Sequence, residues 1–145
     1  MIIDLNTIEA QEMGGGLSVT FPFSSADGMA DSATVLQVYE PGGVLPEHTD
    51  SAEEWLLILE GTFEATVGDQ TVTISEGELA FVPALVPHSG VNVGEGRARI
   101  LGFFGGSTNV AHFTEPLGGP GGPQTLVVGA APGIAIPVAV PVAAY

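Results

Sequence analysis

The stretch GGVLPEHTDSAEEWLLILEG, residues 42 to 61, places three potential metal ligands directly before an apolar run. His48, Asp50 and Glu54 follow one another at intervals of two and four residues. Because side chains alternate across an extended strand, this even spacing predicts that all three share one face. On the surface the segment would be a solvated turn. Facing a protein interior it would be half of a metal site, since buried carboxylates without partners are costly.

A second segment, FVPALVPHSGVN at residues 81 to 92, supplies another histidine, His88. Between the two segments, TFEATVGDQTVTISEGE has the alternation and the GDQ turn of a hairpin. A hairpin returns the chain on itself, so the flanking segments are predicted to be neighbouring strands of one small barrel. Two imidazoles and one or two carboxylates would suit Fe(II), Mn, Ni, Co or Zn.

Short apolar runs dominate the rest of the chain, and none has a sustained helical period. EEWLLILE, residues 53 to 60, suits a strand buried on both faces. The high content of turn formers, with Gly 21 and Pro 11, also favours an all-β domain. The other runs read as strands are LSVTFPF (17–23), ATVLQVYE (33–40), ELAFVP (78–83) and RARILGFF (97–104).

The charge balance limits the classes of partner. The chain has 17 acidic residues against 2 basic ones, Arg97 and Arg99, and its formal net charge is -15. Such a surface repels phosphate backbones and anionic lipids, so we expect no nucleic acid and no membrane as a partner. The two arginines share one strand face, where they either pair with surface carboxylates or contact an anion.

The chain length and the termini predict one domain with an appended arm. A length of 145 residues fits one domain, which we place at residues 1–115. Residues 116–145 form a Gly/Pro-rich linker and an apolar arm, expected to pack on the same domain or on a partner subunit. Prolines and glycines interrupt this arm, so it is not read as a membrane span. The N-terminus lacks a basic signal-peptide region, and we expect a cytoplasmic protein. With no cysteine, thiol catalysis and disulfides are excluded.

The two ligand-bearing segments resemble the two sequence motifs of the cupin superfamily. The first motif, G-x5-H-x-H-x3-4-E-x6-G, is matched from Gly42 to Gly61, and the second, G-x5-P-x-G-x2-H-x3-N, from Gly77 to Asn92. Every spacing is kept. Two positions depart from the pattern: Asp50 stands where the family has a histidine, and Leu85 where it has a glycine. The resemblance covers roughly residues 33 to 105.

This resemblance implies an antiparallel β-barrel or jelly roll, a homodimer, and a divalent metal ion held by His48, Asp50, Glu54 and His88. Asp50 is one of two things in this reading. It is the fourth ligand, or it does not reach the metal, and then His48, Glu54 and His88 are the ligands while Asp50 contacts a ligand or acts as a general base. The implied function is a metal-dependent enzyme acting on a small organic molecule, a dioxygenase above other classes. A non-oxidative lyase, isomerase or cyclase that uses Asp50 for proton transfer is the alternative, and a non-catalytic binding protein is a third.

Further side chains carry weaker expectations. The aromatic residues are assigned to the core in preference to the pocket. His112 is either a loop histidine or an acid or base at the pocket edge. The aromatic residues in question are Trp55, Phe63, Phe81, Phe103 and Phe104.

Overall fold

The computed structural model describes residues 1–129, and these residues form twelve strands and one short 3₁₀ turn, Ser25–Asp27. No helix in this part of the chain is long and apolar enough to cross a membrane. The strands are β1 (Gln11–Gly14), β2 (Leu17–Thr20), β3 (Ala33–Tyr39), β4 (Val44–Asp50), β5 (Glu54–Glu60), β6 (Thr62–Val67), β7 (Gln70–Ser75), β8 (Leu79–Val82), β9 (His88–Asn92), β10 (Ala98–Phe104), β11 (Asn109–Phe113) and β12 (Thr125–Val128).

The strands make two six-stranded antiparallel sheets. The first sheet has the order β1-β2-β3-β10-β5-β8, and the second has the order β12-β11-β4-β9-β6-β7. The chain changes sheet repeatedly, for example from β4 to β5 and from β8 to β9. Crossing between two packed antiparallel sheets is the pattern of a jelly roll. The predicted all-β fold is therefore confirmed.

Strand β5 differs from the expectation of a strand buried on both faces. Its residues alternate, with Glu54, Leu56 and Ile58 buried and Trp55 50% exposed. The side chains of Phe81 and Phe103 are likewise 52% and 42% exposed, so three of the five aromatic residues assigned to the core lie outside it. Alternation was hidden in the sequence because both faces of these strands carry apolar residues. Of these five aromatic residues, Phe63 and Phe104 are in the core.

The last described strand, β12, follows the Gly/Pro-rich segment. Strand β12 pairs with β11 at the edge of the second sheet, and Val128 is part of the core. The first residues of the predicted arm thus pack on the same domain. Residues 130–145, which make up most of that arm, lie outside the described part of the chain.

Both arginines lie on the outside of the molecule. Arg97 Nη2 is 3.0 Å from Glu60 Oε2, and both side chains are substantially exposed. Arg99 donates to the carbonyl of Leu5 at 2.6 Å and to Asn6 Oδ1 at 3.2 Å. Their hydrogen-bond partners are therefore groups of the protein surface.

Candidate metal centre

The four predicted ligands converge between the two sheets. His48 and Asp50 lie on β4, and His88 lies on β9, where the register places it directly opposite His48. Glu54 is the first residue of β5, in the facing sheet. All four residues are at most 5% exposed.

The physical reason for this convergence differs in part from the one predicted. Alternation along β4 does place His48 and Asp50 on the same inward face. Glu54, however, is not on that strand. The chain bends after Asp50 and enters the first sheet, so that Glu54 meets the other three from across the barrel.

Asp50 is central to the cluster. Its Oδ2 atom lies 3.5 Å from His48 Nε2 and 3.2 Å from His88 Nε2. One donor atom from each of His48, Asp50 and His88 falls within 4.8 Å of the others, and Glu54 Oε2 adjoins this group at 3.7 Å from His88 Nε2. A side chain as short as Asp therefore reaches the centre together with both imidazoles.

Backbone carbonyls fix both imidazole rings. The Nδ1 atom of His48 is 2.8 Å from the Pro46 carbonyl oxygen, and that of His88 is 2.9 Å from the Val86 carbonyl oxygen. Because a carbonyl oxygen can only accept, each Nδ1 carries a proton, and a neutral ring then directs the Nε2 lone pair inward. This is the arrangement that orients metal-bound histidines in proteins.

Several polar atoms at the centre have no hydrogen-bond partner. Asp50 Oδ2, Glu54 Oε1 and His88 Nε2 are buried and unpaired, although the distances between their groups are short. Leaving such atoms unsatisfied in a dry interior costs about 1–3 kcal/mol each, and more for charged groups. A divalent cation held by His48, Asp50 and His88 would give Asp50 Oδ2 and His88 Nε2 a partner, and the donor set of imidazoles and carboxylates fits first-row transition metals.

The protonation of the cluster follows from burial and mutual contact. Burial opposes ionisation of Asp50, but the adjacent imidazoles of His48 and His88 outweigh it and hold the pKa of Asp50 below its usual range. Burial likewise opposes the charge on His88, but Asp50 and Glu54 raise the pKa of His88 to about 10. Burial and the charge of Asp50 raise the pKa of Glu54. Without a metal, bound protons therefore offset part of the negative charge that a cation would neutralise.

Asn109, on β11, was not identified from the sequence. It is fully buried, and its Nδ2 donates to Asp50 Oδ1 at 2.6 Å. Its own Oδ1 accepts from Ser51 Oγ at 3.2 Å and from the Ala52 amide at 3.1 Å. One oxygen of Asp50 is thereby held away while the other faces the imidazoles. The available signal was a polar residue in register with the apolar Ala111 and Phe113.

Gly102 makes room for Glu54. A Cβ atom built on this residue of β10 would lie 2.5 Å from Glu54 Oε1 and 2.7 Å from Val35 Cγ1. A glycine inside an otherwise apolar strand often marks such a close approach, and this signal in RARILGFF was available in the sequence.

The loop before His88 contains the second departure from the motif pattern. Leu85 occupies the left-handed region with φ 64°, where a glycine would be unstrained. Its amide donates to the Asp50 carbonyl at 2.8 Å, which ties this loop to the end of β4. The loop then positions the Val86 carbonyl that holds the His88 ring.

A largely apolar cavity adjoins the cluster and is partly open to solvent. Its polar lining residues are Gln37, His48, Asp50, Glu54 and Asn109, and the remaining eleven are apolar. One of these, Phe113, stacks on His48 with ring centroids 4.8 Å apart. A mostly apolar lining with a few polar groups is typical of small-molecule sites.

His112 does not join this cavity. It is exposed on β11 between the buried residues Ala111 and Phe113, and its Nδ1 lies 3.3 Å from Thr125 Oγ1. Of the two alternatives left open by the sequence, the surface position is the one observed.

Comparisons with known proteins agree with this fold. The family model described as "Cupin domain" matches residues 35–104, which include both motifs. No curated protein matches the sequence.

Solved structures share the fold at low sequence identity. The cupin domain of Cnp3 from Schizosaccharomyces pombe is 19% identical, with a TM-score of 0.63 over 71% of this chain and 72% of that one. The polyketide cyclase RemF from Streptomyces resistomycificus is 21% identical, with a TM-score of 0.63 over 72% and 78%. An oxalate oxidase in complex with glycolate is 18% identical, with a TM-score of 0.66 over 74% of this chain and 59% of that one. The family model thus identifies residues 35–104 as a cupin domain, and the solved structures share its two-sheet fold.

Proposed function

We propose that the protein is a metal-dependent cupin enzyme that acts on a small organic molecule, and that the reaction is a dioxygenation. The observation that carries the proposal is the buried cluster of His48, Asp50 and His88 beside an apolar cavity. Their donor atoms lie within 4.8 Å of one another, and Asp50 Oδ2 and His88 Nε2 are unpaired. The proposed ligands of the ion, one of Fe, Mn, Ni, Co or Zn, are His48, Asp50, Glu54 and His88.

Each part of the site has a distinct task. The two imidazoles offer Nε2 lone pairs, and the carboxylates offer negative charge in a setting that excludes bulk water. A divalent cation held there would polarise substrate oxygen atoms and, if it is iron, would supply redox chemistry with O₂. The apolar walls would orient the substrate and keep water from the reacting groups.

A non-oxidative lyase, isomerase or cyclase is the second candidate. Asp50 supports it, because the hydrogen bond from Asn109 fixes the carboxylate while leaving Oδ2 free to accept a proton from a substrate. The likeness to a polyketide cyclase points in the same direction, although it extends to the fold alone.

Metal content tests the site. We expect protein purified without added metal to bind about one divalent ion per chain. We expect His88→Ala to weaken binding by more than the ~10–100-fold that loss of an outer-shell partner causes. The matched control is His112→Ala, which removes an exposed histidine outside the cavity. Wild-type protein that binds none of the five metals, or a His88→Ala variant with wild-type affinity, would rule out this centre.

Oxygen uptake distinguishes the two reaction classes. Metal-loaded protein is given a panel of enolic and phenolic compounds in an oxygen electrode, and product formation is followed in parallel. Turnover with stoichiometric O₂ uptake supports a dioxygenase. Turnover without O₂ uptake that is lost in Asp50→Asn, while metal content is retained, supports the second candidate. A protein that binds metal and ligands without turnover would instead be the non-catalytic binder.

A further inference from the structure

We infer that this cavity selects uncharged or cationic, largely apolar molecules and rejects small carboxylates. The inference rests on the proposed function in placing the substrate beside the cluster. It goes beyond that function by naming the charge and polarity of what is bound.

Among the described residues, neither lysine nor arginine lines the cavity. Its polar side chains are His48, Asp50, Glu54, Gln37 and Asn109, and His88 does not line it. Asn109 Nδ2 already donates to Asp50, so the amide nitrogen of Gln37 is the neutral donor left for an anion. The lining away from the cluster is aliphatic or aromatic, and includes Leu17, Val35, Phe104 and Leu126. An anionic group that left water for this wall would exchange its hydration for, at most, hydrogen bonds from one neutral amide.

The cationic side chains of the protein contact groups outside the cavity. There is no lysine, and the only arginines are Arg97, which pairs with Glu60, and Arg99, which bonds to Leu5 and Asn6. Both lie on the outer surface. The protein therefore cannot place the bidentate arginine that commonly recognises a carboxylate in its cavity.

The negative charge of the cluster also disfavours the binding of an anion. Asp50 occupies the motif position where the family pattern has a histidine, so the ligand set carries one more negative charge than the pattern would give. With two carboxylates and two neutral imidazoles, a divalent cation leaves the centre with no net charge. A carboxylate substrate would thus gain little from the ion while it is repelled by Asp50 and Glu54.

Three isosteric probes test the charge preference directly. Benzamidine, benzamide and benzoate have the same shape and carry charges of about +1, 0 and −1 at neutral pH. Their affinities are measured by ligand-observed NMR with metal-free and with Zn²⁺-loaded protein. We expect benzamide to bind at least ~10-fold more tightly than benzoate, because the apolar lining replaces little of the hydration that a carboxylate loses.

Two variants locate the origin of the preference. Asp50→Asn is nearly isosteric and removes one negative charge, so we expect it to narrow the gap between benzamide and benzoate by about 10-fold. Arg97→Gln changes an exposed cation outside the cavity and should leave the gap unchanged.

The outcomes separate this inference from the proposed function. Benzoate binding as tightly as benzamide to the Zn²⁺-loaded wild type, or no binding of any of the three probes, would overturn the charge selection. A protein that fails to bind Zn²⁺ but still prefers benzamide to benzoate would instead count against the metal-dependent function and leave the selection intact.

Discussion

At the scale of single residues, the contact between Asn109 and Asp50 determines which oxygen of Asp50 is available as a ligand. Asp50 stands at the motif position where the family pattern has a histidine. A histidine there would present one nitrogen to the centre, whereas a carboxylate has two oxygens and more freedom. Asn109 removes that freedom by holding Oδ1 at 2.6 Å, so that only Oδ2 remains available. Such an outer contact orients a ligand without touching the ion.

We predict that Asn109→Leu weakens metal binding by ~10–100-fold, the range found when outer-shell partners are removed. It should also lower the free energy of unfolding by about 1–3 kcal/mol, because the Asp50, Ser51 and Ala52 groups lose a partner. Metal affinity from competition with a chromophoric chelator and stability from urea unfolding measure the two effects separately.

Asn92→Leu is the matched control for that prediction. Asn92 is also buried, and its Nδ2 lies within 3.2 Å of the carbonyl oxygens of Tyr39, Glu40 and Gly96, none of which belongs to the cluster. It should destabilise the fold and leave metal affinity unchanged. Equal losses of metal affinity in the two variants would mean that Asn109 acts only through general stability.

At the scale of strands and sheets, the sequence predicted the elements better than the way they face one another. The spacing of the motif residues correctly brought β4 beside β9, with His48 opposite His88. It did not reveal that the chain changes sheet between Asp50 and Glu54, because even spacing looks the same on one strand and across a bend. Asn109 was missed for a related reason, since its partner is 59 positions away and only the β4–β11 pairing joins them.

The outer face of the first sheet carries apolar residues that composition alone does not distinguish from the core. Two cross-strand rows, Phe103–Trp55–Phe81 and Leu101–Leu57–Leu79, run over β10, β5 and β8, and we call these six residues the apolar face. None of them is charged, and Trp55, Phe81, Phe103 and Leu79 are among the exposed large hydrophobic residues. Contiguous apolar surface of this kind marks interaction sites in soluble proteins.

We propose that a second copy of the chain covers the apolar face and forms the expected homodimer. A face of this kind presents the same rows of aromatic and aliphatic side chains in both copies, so a two-fold contact is self-complementary. The contact would be made by uncharged side chains. Elsewhere on the surface, the net charge of -15 opposes association.

The prediction is that Phe81→Glu converts the dimer into a monomer in sedimentation velocity at micromolar concentration. Trp55 is the only tryptophan and lies in the apolar face, so its emission should move to longer wavelength in the variant. Val72→Glu is the control, because Val72 is an exposed apolar residue of β7 in the other sheet. A wild-type monomer at all concentrations, or a Phe81→Glu variant that stays dimeric, would contradict the assignment.

At the scale of the whole molecule, the excess of acidic residues should make stability depend on ionic strength. The 17 acidic residues face only 2 basic ones, and a compact chain brings like charges closer than an unfolded one does. Added salt screens this repulsion, since the Debye length falls from about 30 Å at 0.01 M to about 8 Å at 0.15 M. Screening should therefore stabilise the folded state.

We predict that the urea midpoint of unfolding rises between 10 mM and 300 mM NaCl, and that this rise shrinks when charge is removed. Replacing Glu12, Asp69, Glu76 and Glu95 by lysine changes the net charge from -15 to -7. All four side chains are exposed and make no side-chain hydrogen bond or ion pair in the described structure, so they can be altered without loss of a specific contact. A salt effect of equal size in the wild type and the fourfold variant would show that it comes from salt acting on apolar burial. Because the cluster between the sheets is buried and left untouched, metal affinity serves as the internal check that the fourfold variant keeps the native fold.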